Sequence, residues 1–121
     1  MLADPAITSL VDELRFLIIR FPQTYSRSVL SAWSSELGAS YLSTLTQGQH
    51  QIHQLWPSQI QALQQGLLKS KNAAVSMPTS AGKTLLAELR IAAALNSNPN
   101  GCVFYVVPLN ALARQAQKQL Q

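Results

Sequence analysis

One stretch, Met77-Pro78-Thr79-Ser80-Ala81-Gly82-Lys83-Thr84, constrains this chain more than any other. The apolar run Ala73-Ala74-Val75-Ser76-Met77 leads into it. From Lys83-Thr84 the sequence passes into Leu85-Leu86-Ala87-Glu88-Leu89-Arg90-Ile91-Ala92-Ala93-Ala94-Leu95, which reads as a helix. The order is strand, small-residue loop, helix. Backbone amides in such a loop and the positive end of the following helix suit a phosphate chain; Lys83 adds a point charge, and the Thr84 hydroxyl can ligate magnesium. The expected ligand is a nucleoside triphosphate with Mg2+. Gly82 is the loop's only glycine, and Met77 stands where the strict pattern has its first glycine. Gly-Lys-Thr alone also suits an ordinary helix start with Thr79 or Ser80 as N-cap; the strand before it and the helix after it favour the nucleotide.

The chain upstream reads as helical. Asp4-Pro5 is a cap followed by a first-turn residue, and Ile7, Leu10, Val11, Leu14, Leu17 and Ile18 recur at helical spacing until Pro22 stops the pattern. A second helix from Ser26 or Ser28 carries Val29, Leu30, Trp33 and Leu37, with Gly38 at its C-terminal cap, and a short third is expected over 40–46. Arg15, Arg20 and Arg27 read as a solvated face rather than a nucleic-acid stripe. Between Gln47 and Gln65 lie eight glutamines with His50 and His53, and without a nearby cysteine or carboxylate this is a polar connector rather than a metal site. Pro57 is placed as a first-turn proline, and Ile60, Leu63 and Leu67 form the buried face of a helix ending near Ser70, with Lys71-Asn72 turning into the first strand.

Beyond the loop helix, Asn96 to Gly101 is a dense turn signal, and Cys102-Val103-Phe104-Tyr105-Val106-Val107 is β-prone, a second buried strand. Pro108 breaks it, and Leu109, Leu112, Ala113, Ala116 and Leu120 recur at helical spacing. Two strands each followed by a helix imply an α/β class with parallel pairing and a right-handed crossover.

Charge is a weak guide. Nine basic residues against five acidic ones give +4, which leans towards a polyanionic partner no more than towards a plain basic domain. The single cysteine, Cys102, excludes an internal disulfide and reads as a buried structural thiol. No basic segment followed by an apolar core opens the chain, so neither a signal peptide nor a membrane span is expected, and the expected compartment is intracellular, cytoplasmic or nucleoid/nuclear.

Three stretches then line up in order. Trp56-Pro57-Ser58-Gln59, the loop from Met77 to Thr84, and Pro108-Leu109-Asn110-Ala111-Leu112-Ala113-Arg114-Gln115 resemble the Q-motif, motif I and motif Ia of superfamily two DEAD/DExH helicases, most of all the Ski-like branch. The resemblance covers Leu55 onwards. It implies a helical N-terminal segment and connector over 1–54, and over 55–121 the first part of a RecA-like ATP-binding domain, with the remainder of the helicase core missing. By the same resemblance Gln59, 24 residues before Lys83, reads the adenine edge, to which its amide offers both donor and acceptor. Lys83 holds the terminal phosphates and Thr84 the Mg2+ ion, and the amides from Ser80 to Thr84, beside Thr79, cradle the phosphate chain. ATP and Mg2+ are the implied cofactors.

Motif Ia implies contact between Pro108, Asn110 and Ala111 and the backbone of a nucleic-acid strand, RNA or DNA; such contacts position without reading sequence. Asn110 stands where DEAD-box members have arginine and Ala111 where they have glutamate, leaving Arg114, one turn later, to supply the charge. Phosphate-chain hydrolysis also needs a carboxylate at the end of a neighbouring strand. Of Asp4, Asp12, Glu13, Glu36 and Glu88 only Glu88 follows the loop, and it lies on the helix, so no complete catalytic set is present. The expected parent activity is ATP-dependent unwinding, with the chain itself inactive. A phosphate-loop kinase and a non-catalytic interaction module on the same scaffold remain alternatives.

Overall fold

The computed structural model describes residues 4–47, 52–78 and 82–120, the side chains of 17–24, 111–112 and 119–120 excepted. The first helix starts as its sequence dictates. Asp4 Oδ1 accepts from the Ala6 N–H at 3.0 Å, and Pro5, with no N–H to satisfy, opens α1 (Pro5–Thr24). The helix runs two residues past Pro22 instead of stopping there. So near the C-terminus, a proline removes a single backbone bond and leaves little helix to disrupt.

The expected second helix is broken into α2 (Ser26–Leu30), a 3-10 turn (Ser31–Trp33) and α3 (Ser34–Leu37); α4 (Ala39–Gln47) follows Gly38. Serine-rich sequence accounts for the break: the Ser28 and Ser31 hydroxyls donate to the carbonyls of Tyr25 and Ser28, offering the backbone local alternatives to helix bonds. The connector is pinned to this unit. Ser26 donates its N–H to His53 O at 3.0 Å and its hydroxyl to Ile52 O, Ile52 N–H donates to Leu45 O, and Tyr25 and Gln54 form one antiparallel bridge. His53 thus contributes its backbone here, and no metal-binding group of His, Cys, Asp and Glu occurs among the described residues; His50 lies outside them.

Helix α5 (Pro57–Gln64) is shorter than the spacing of Ile60, Leu63 and Leu67 suggests. Gly66, at φ 88°, ends it in a Schellman turn: Leu67 N–H donates to Ala62 O and Gly66 N–H to Leu63 O. Leu67 stays buried all the same, because that turn folds it back onto the last helical turn. Then come α6 (Lys83–Ser97) and α7 (Asn110–Leu120).

Among the described residues a leucine core joins α2, α3 and α4 to α6. Leu30, Leu37 and Leu45 from the first helices meet Leu55, Leu63, Leu67 and Leu68, and all close on Leu86, Leu89 and Ala93 of α6. Each fully buried leucine contributes about 1.5–3 kcal/mol of transfer free energy. Polar ties add register: Asn96 Nδ2 donates to Ser35 O and Glu36 O, capping α3 from α6. By contrast, Ile7, Leu10, Val11 and Leu14 of α1 remain largely exposed.

The two expected strands carry no ladder. Residues 73–78 and 101–107 lack regular secondary structure, and among the described residues the only β pairing is the Tyr25–Gln54 bridge. Ala73 to Ser76 and Cys102 to Val106 are exposed, Cys102 included, so the buried thiol and buried strands expected from sequence are corrected here. The reason is physical: a strand of a parallel sheet is buried only when neighbouring strands and helices cover it on both sides. No helix among the described residues is long and apolar enough to cross a membrane.

Candidate nucleotide-binding site

The site assembles where α5 and α6 begin. Trp56, in extended backbone, precedes α5; Gln59 N–H donates to Trp56 O at 2.9 Å, and Gln59 Oε1 accepts from Trp56 N–H at 2.8 Å. This reciprocal pair does the work of a capping box at a helix whose N-cap is Trp56 rather than Ser, Thr or Asp. The other half of the Gln59 amide faces the loop: Nε2 donates to Gly82 O at 3.0 Å. Gln59 is 2% exposed, a buried polar side chain whose two ends are already bonded to Trp56 N–H and Gly82 O, so reading adenine would draw on its second amide proton and second oxygen lone pair.

Gly82 sits in the left-handed region, φ 72° and ψ 43°, as the residue before α6. A Cβ there would also run into Gln59 Nε2. Only glycine satisfies both conditions, so the one glycine of the loop is the one its geometry requires. The next residue, Lys83, turns its ammonium back across the loop to Met77 O at 2.9 Å. The loop is therefore tied at both ends, at Met77 by Lys83 and at Gly82 by Gln59. Lys83 and Thr84 are exposed on the first turn of a fifteen-residue helix, whose free N–H groups and macrodipole favour an anion. These features fit a phosphate chain with a hydrated cation; Thr79, Ser80 and Ala81 lie outside the described residues.

Two neighbouring features do not belong to this cluster. An open groove of about 420 Å3 between α5 and residues 72–77 is lined by Ser58, Gln61, Gln65 and Ser70 among others, and neither Gln59, Lys83 nor Thr84 reaches it. Glu88, one turn into α6, is half-buried, and its carboxyl is pushed above its usual value by burial; burial and then the Glu88 charge raise the Tyr41 hydroxyl to about 12. The charge of this carboxylate is thus felt at Tyr41 of α4. The motif Ia residues lie apart: Pro108 and Asn110 are exposed where α7 begins, Ala111 is in its first turn, and Arg114 is exposed one turn on.

Sequence patterning missed one contributor. Arg90 Nη1 donates to Leu68 O at 3.0 Å and Nη2 to Ser70 O at 2.5 Å, holding the turn that leaves α5 against α6. Its signal was available, since Glu88 and Arg90 are the only charges between Leu85 and Leu95.

Comparison with known proteins gives the geometry a family. Residues 56–121, more than half of the chain, match the DEAD/DEAH box helicase model, and the chain belongs to that family. Among curated proteins it is similar to the ATP-dependent DNA helicase Hel308 of Pyrococcus horikoshii, 43% identical over 70 residues, 58% of this chain and 10% of that protein. It is also similar to Hel308 of Methanocella arvoryzae, 44% identical over 64 residues, 53% of this chain and 8% of that protein. The Hachiman protein HamB of Bacillus cereus is 30% identical over 87 residues, 72% of this chain and 8% of that protein. The chain thus spans about a tenth of the length of the curated relatives it matches. No solved structure matches it.

Proposed function

We propose that the chain is the ATP-binding beginning of an ATP-dependent DNA or RNA helicase: a helical segment over 1–54, then over 55–121 the first part of a RecA-like domain. The observation that carries this reading is the bond from Gln59 Nε2 to Gly82 O, which joins the residue matching the adenine-reading glutamine to the residue before the phosphate-binding helix. In this reading Lys83 exchanges Met77 O for the β- and γ-phosphates, a stronger, charge-assisted partner. The Thr84 hydroxyl supplies a ligand to Mg2+, and the amides of 79–84 receive the phosphate oxygens. Mg2+ when bound neutralises phosphate charge. Pro108, Asn110, Ala111 and Arg114 contact the backbone of a nucleic-acid strand in an intracellular setting. Met77 in place of the first loop glycine supports the Ski-like branch.

The chain binds but does not hydrolyse. Glu36 of α3 is paired with Lys69, Glu88 is a half-buried residue of α6, and Asp4, Asp12 and Glu13 belong to α1 or its cap, so every described carboxylate lies on or beside a helix and none at the end of a strand, where a metal-holding carboxylate is needed. The test is calorimetric titration with Mg-ATP, alongside phosphate release. The expected result is saturable binding, weakened more than about tenfold in Lys83→Ala by loss of a charge-assisted contact, with no turnover. Turnover abolished by Lys83→Ala overturns the inactive reading, and a response to nucleic acid without one to ATP supports the interaction-module alternative.

A further inference from the structure

We infer that Arg90 is a positioning residue that makes the adenine-reading and phosphate-reading elements move as one body, an inference that rests on the nucleotide reading above. Helix α5 has eight residues, too few to hold its own shape in water, so its pose depends on what fixes its ends. Its start is fixed to α6 by Gln59 on Gly82 O. Its exit, after the Schellman turn at Gly66, is fixed to α6 by the Arg90 guanidinium, whose two nitrogens take the carbonyls of Leu68 and Ser70. Between these ties Leu63 is buried in the same leucine cluster as Leu86 and Leu89. A planar fork suits this task, because it meets two carbonyls at once at a fixed spacing, and an ammonium cannot reproduce that geometry. The Arg90 guanidinium bonds Leu68 O and Ser70 O, beyond the end of α5 opposite Gln59. It acts by holding the far end of α5, so that the buried Gln59 amide stays in register with Gly82 and hence with Lys83 and Thr84.

Positioning of this kind differs in effect from general support of the fold. If Arg90 sets the register between α5 and α6, its loss weakens a ligand that spans both elements and spares one that uses α6 alone. The measurement compares Mg-ATP with inorganic tripolyphosphate, by calorimetry, in wild type and Arg90→Lys, with amide hydrogen exchange of the ligand-free proteins read at Trp56, whose N–H bonds to Gln59. The expected result is about a fivefold loss of ATP affinity with less than about twofold for tripolyphosphate, the size of one weakened hydrogen bond. Trp56 exchange should quicken by about the same fivefold factor. Equal losses for both ligands, or unchanged Trp56 exchange, overturn the inference and leave Arg90 as plain structural support. A wild type that binds neither ligand overturns the nucleotide reading, while Trp56 exchange still decides whether Arg90 holds α5. If Arg90→Lys does not fold, Arg90→Gln is read by the same criteria.

Discussion

Leu30 and Leu89 are fully buried, whereas Phe104 and Val106, in a run no less apolar, are 86% and 89% exposed. The contrast lies in how each backbone is satisfied. The helices of the first half and α6 satisfy their backbone groups along the chain or through nearby caps, as Asn96 does for Ser35 O and Glu36 O, so a stripe of leucines is what remains for them to share in order to pack. Residues 101–107 offer the same apolar content outside any regular element, and a β-prone run of this kind needs a partner strand for its N–H and C=O groups before its side chains can be covered. Hydrophobicity alone therefore does not place a residue inside; the element must first be able to complete its own bonding.

The largest effect that tests this contrast is truncation on each side of it. Leu89→Ala should cost about 3 kcal/mol through lost transfer free energy and a residual cavity. Phe104→Ala, which removes a larger side chain, should stay within about 0.5 kcal/mol, as at an open surface. Urea denaturation of both variants decides. Comparable losses would break the comparison and show that the 101–107 run is covered in solution.

The same physics explains what could be read in advance. The starts of α1 and α6 were legible because their signals are local, Asp4-Pro5 and Lys83-Thr84, whereas the run of α1 past Pro22 and the break of 26–37 into three short pieces were not. The end of α5 was not, since Leu67 keeps the helical spacing and it is the left-handed backbone of Gly66 that stops the helix. Burial of 73–77 and 102–107 was unreadable for a different reason, because it depends on strands that the described residues do not supply. For the candidate site, sequence singled out Lys83, Thr84 and Gln59, which lie at the starts of α6 and α5, and spacing alone left open that Gln59 would be buried with its Nε2 on Gly82 O. Arg90 was marked as one of two charges in an apolar helix, but its role was not legible, because its partners are carbonyls, which leave no mark in a sequence.

A smaller effect probes the seam between the two halves of the leucine core. Asn96 spans it, one amide nitrogen serving the carbonyls of Ser35 and Glu36 at 3.2 and 3.1 Å. Asn96→Ala should cost about 1 kcal/mol, the net worth of such bonds at a partly solvated helix end. Asn96→Asp should cost at least as much, because a carboxylate has no proton to donate and repels both carbonyls. An unchanged denaturation midpoint in both would mean that leucine packing alone sets how α3 meets α6.

The smallest effect belongs to the surface near that seam. Glu36 is held down to about 2, chiefly by the Ser35 hydroxyl bonding its carboxylate and next by Lys69, whose ammonium lies 2.9 Å from Oε1. A folded value below the unfolded one means that this contribution is present above about pH 4.5 and is lost as pH falls towards 2. Glu88 runs the other way: with its folded value raised by burial, its ionisation weighs against the fold as pH rises through and above the ordinary carboxylate range. Acid titration of the two carboxyl signals by NMR should show Glu36 moving upward in Ser35→Ala more than in Lys69→Ala, because the Lys69 ammonium is well solvated and screened by salt while the hydroxyl bond is short and neutral. The reverse order would make the ion pair, rather than the serine, the feature that fixes the end of α3 opposite α6.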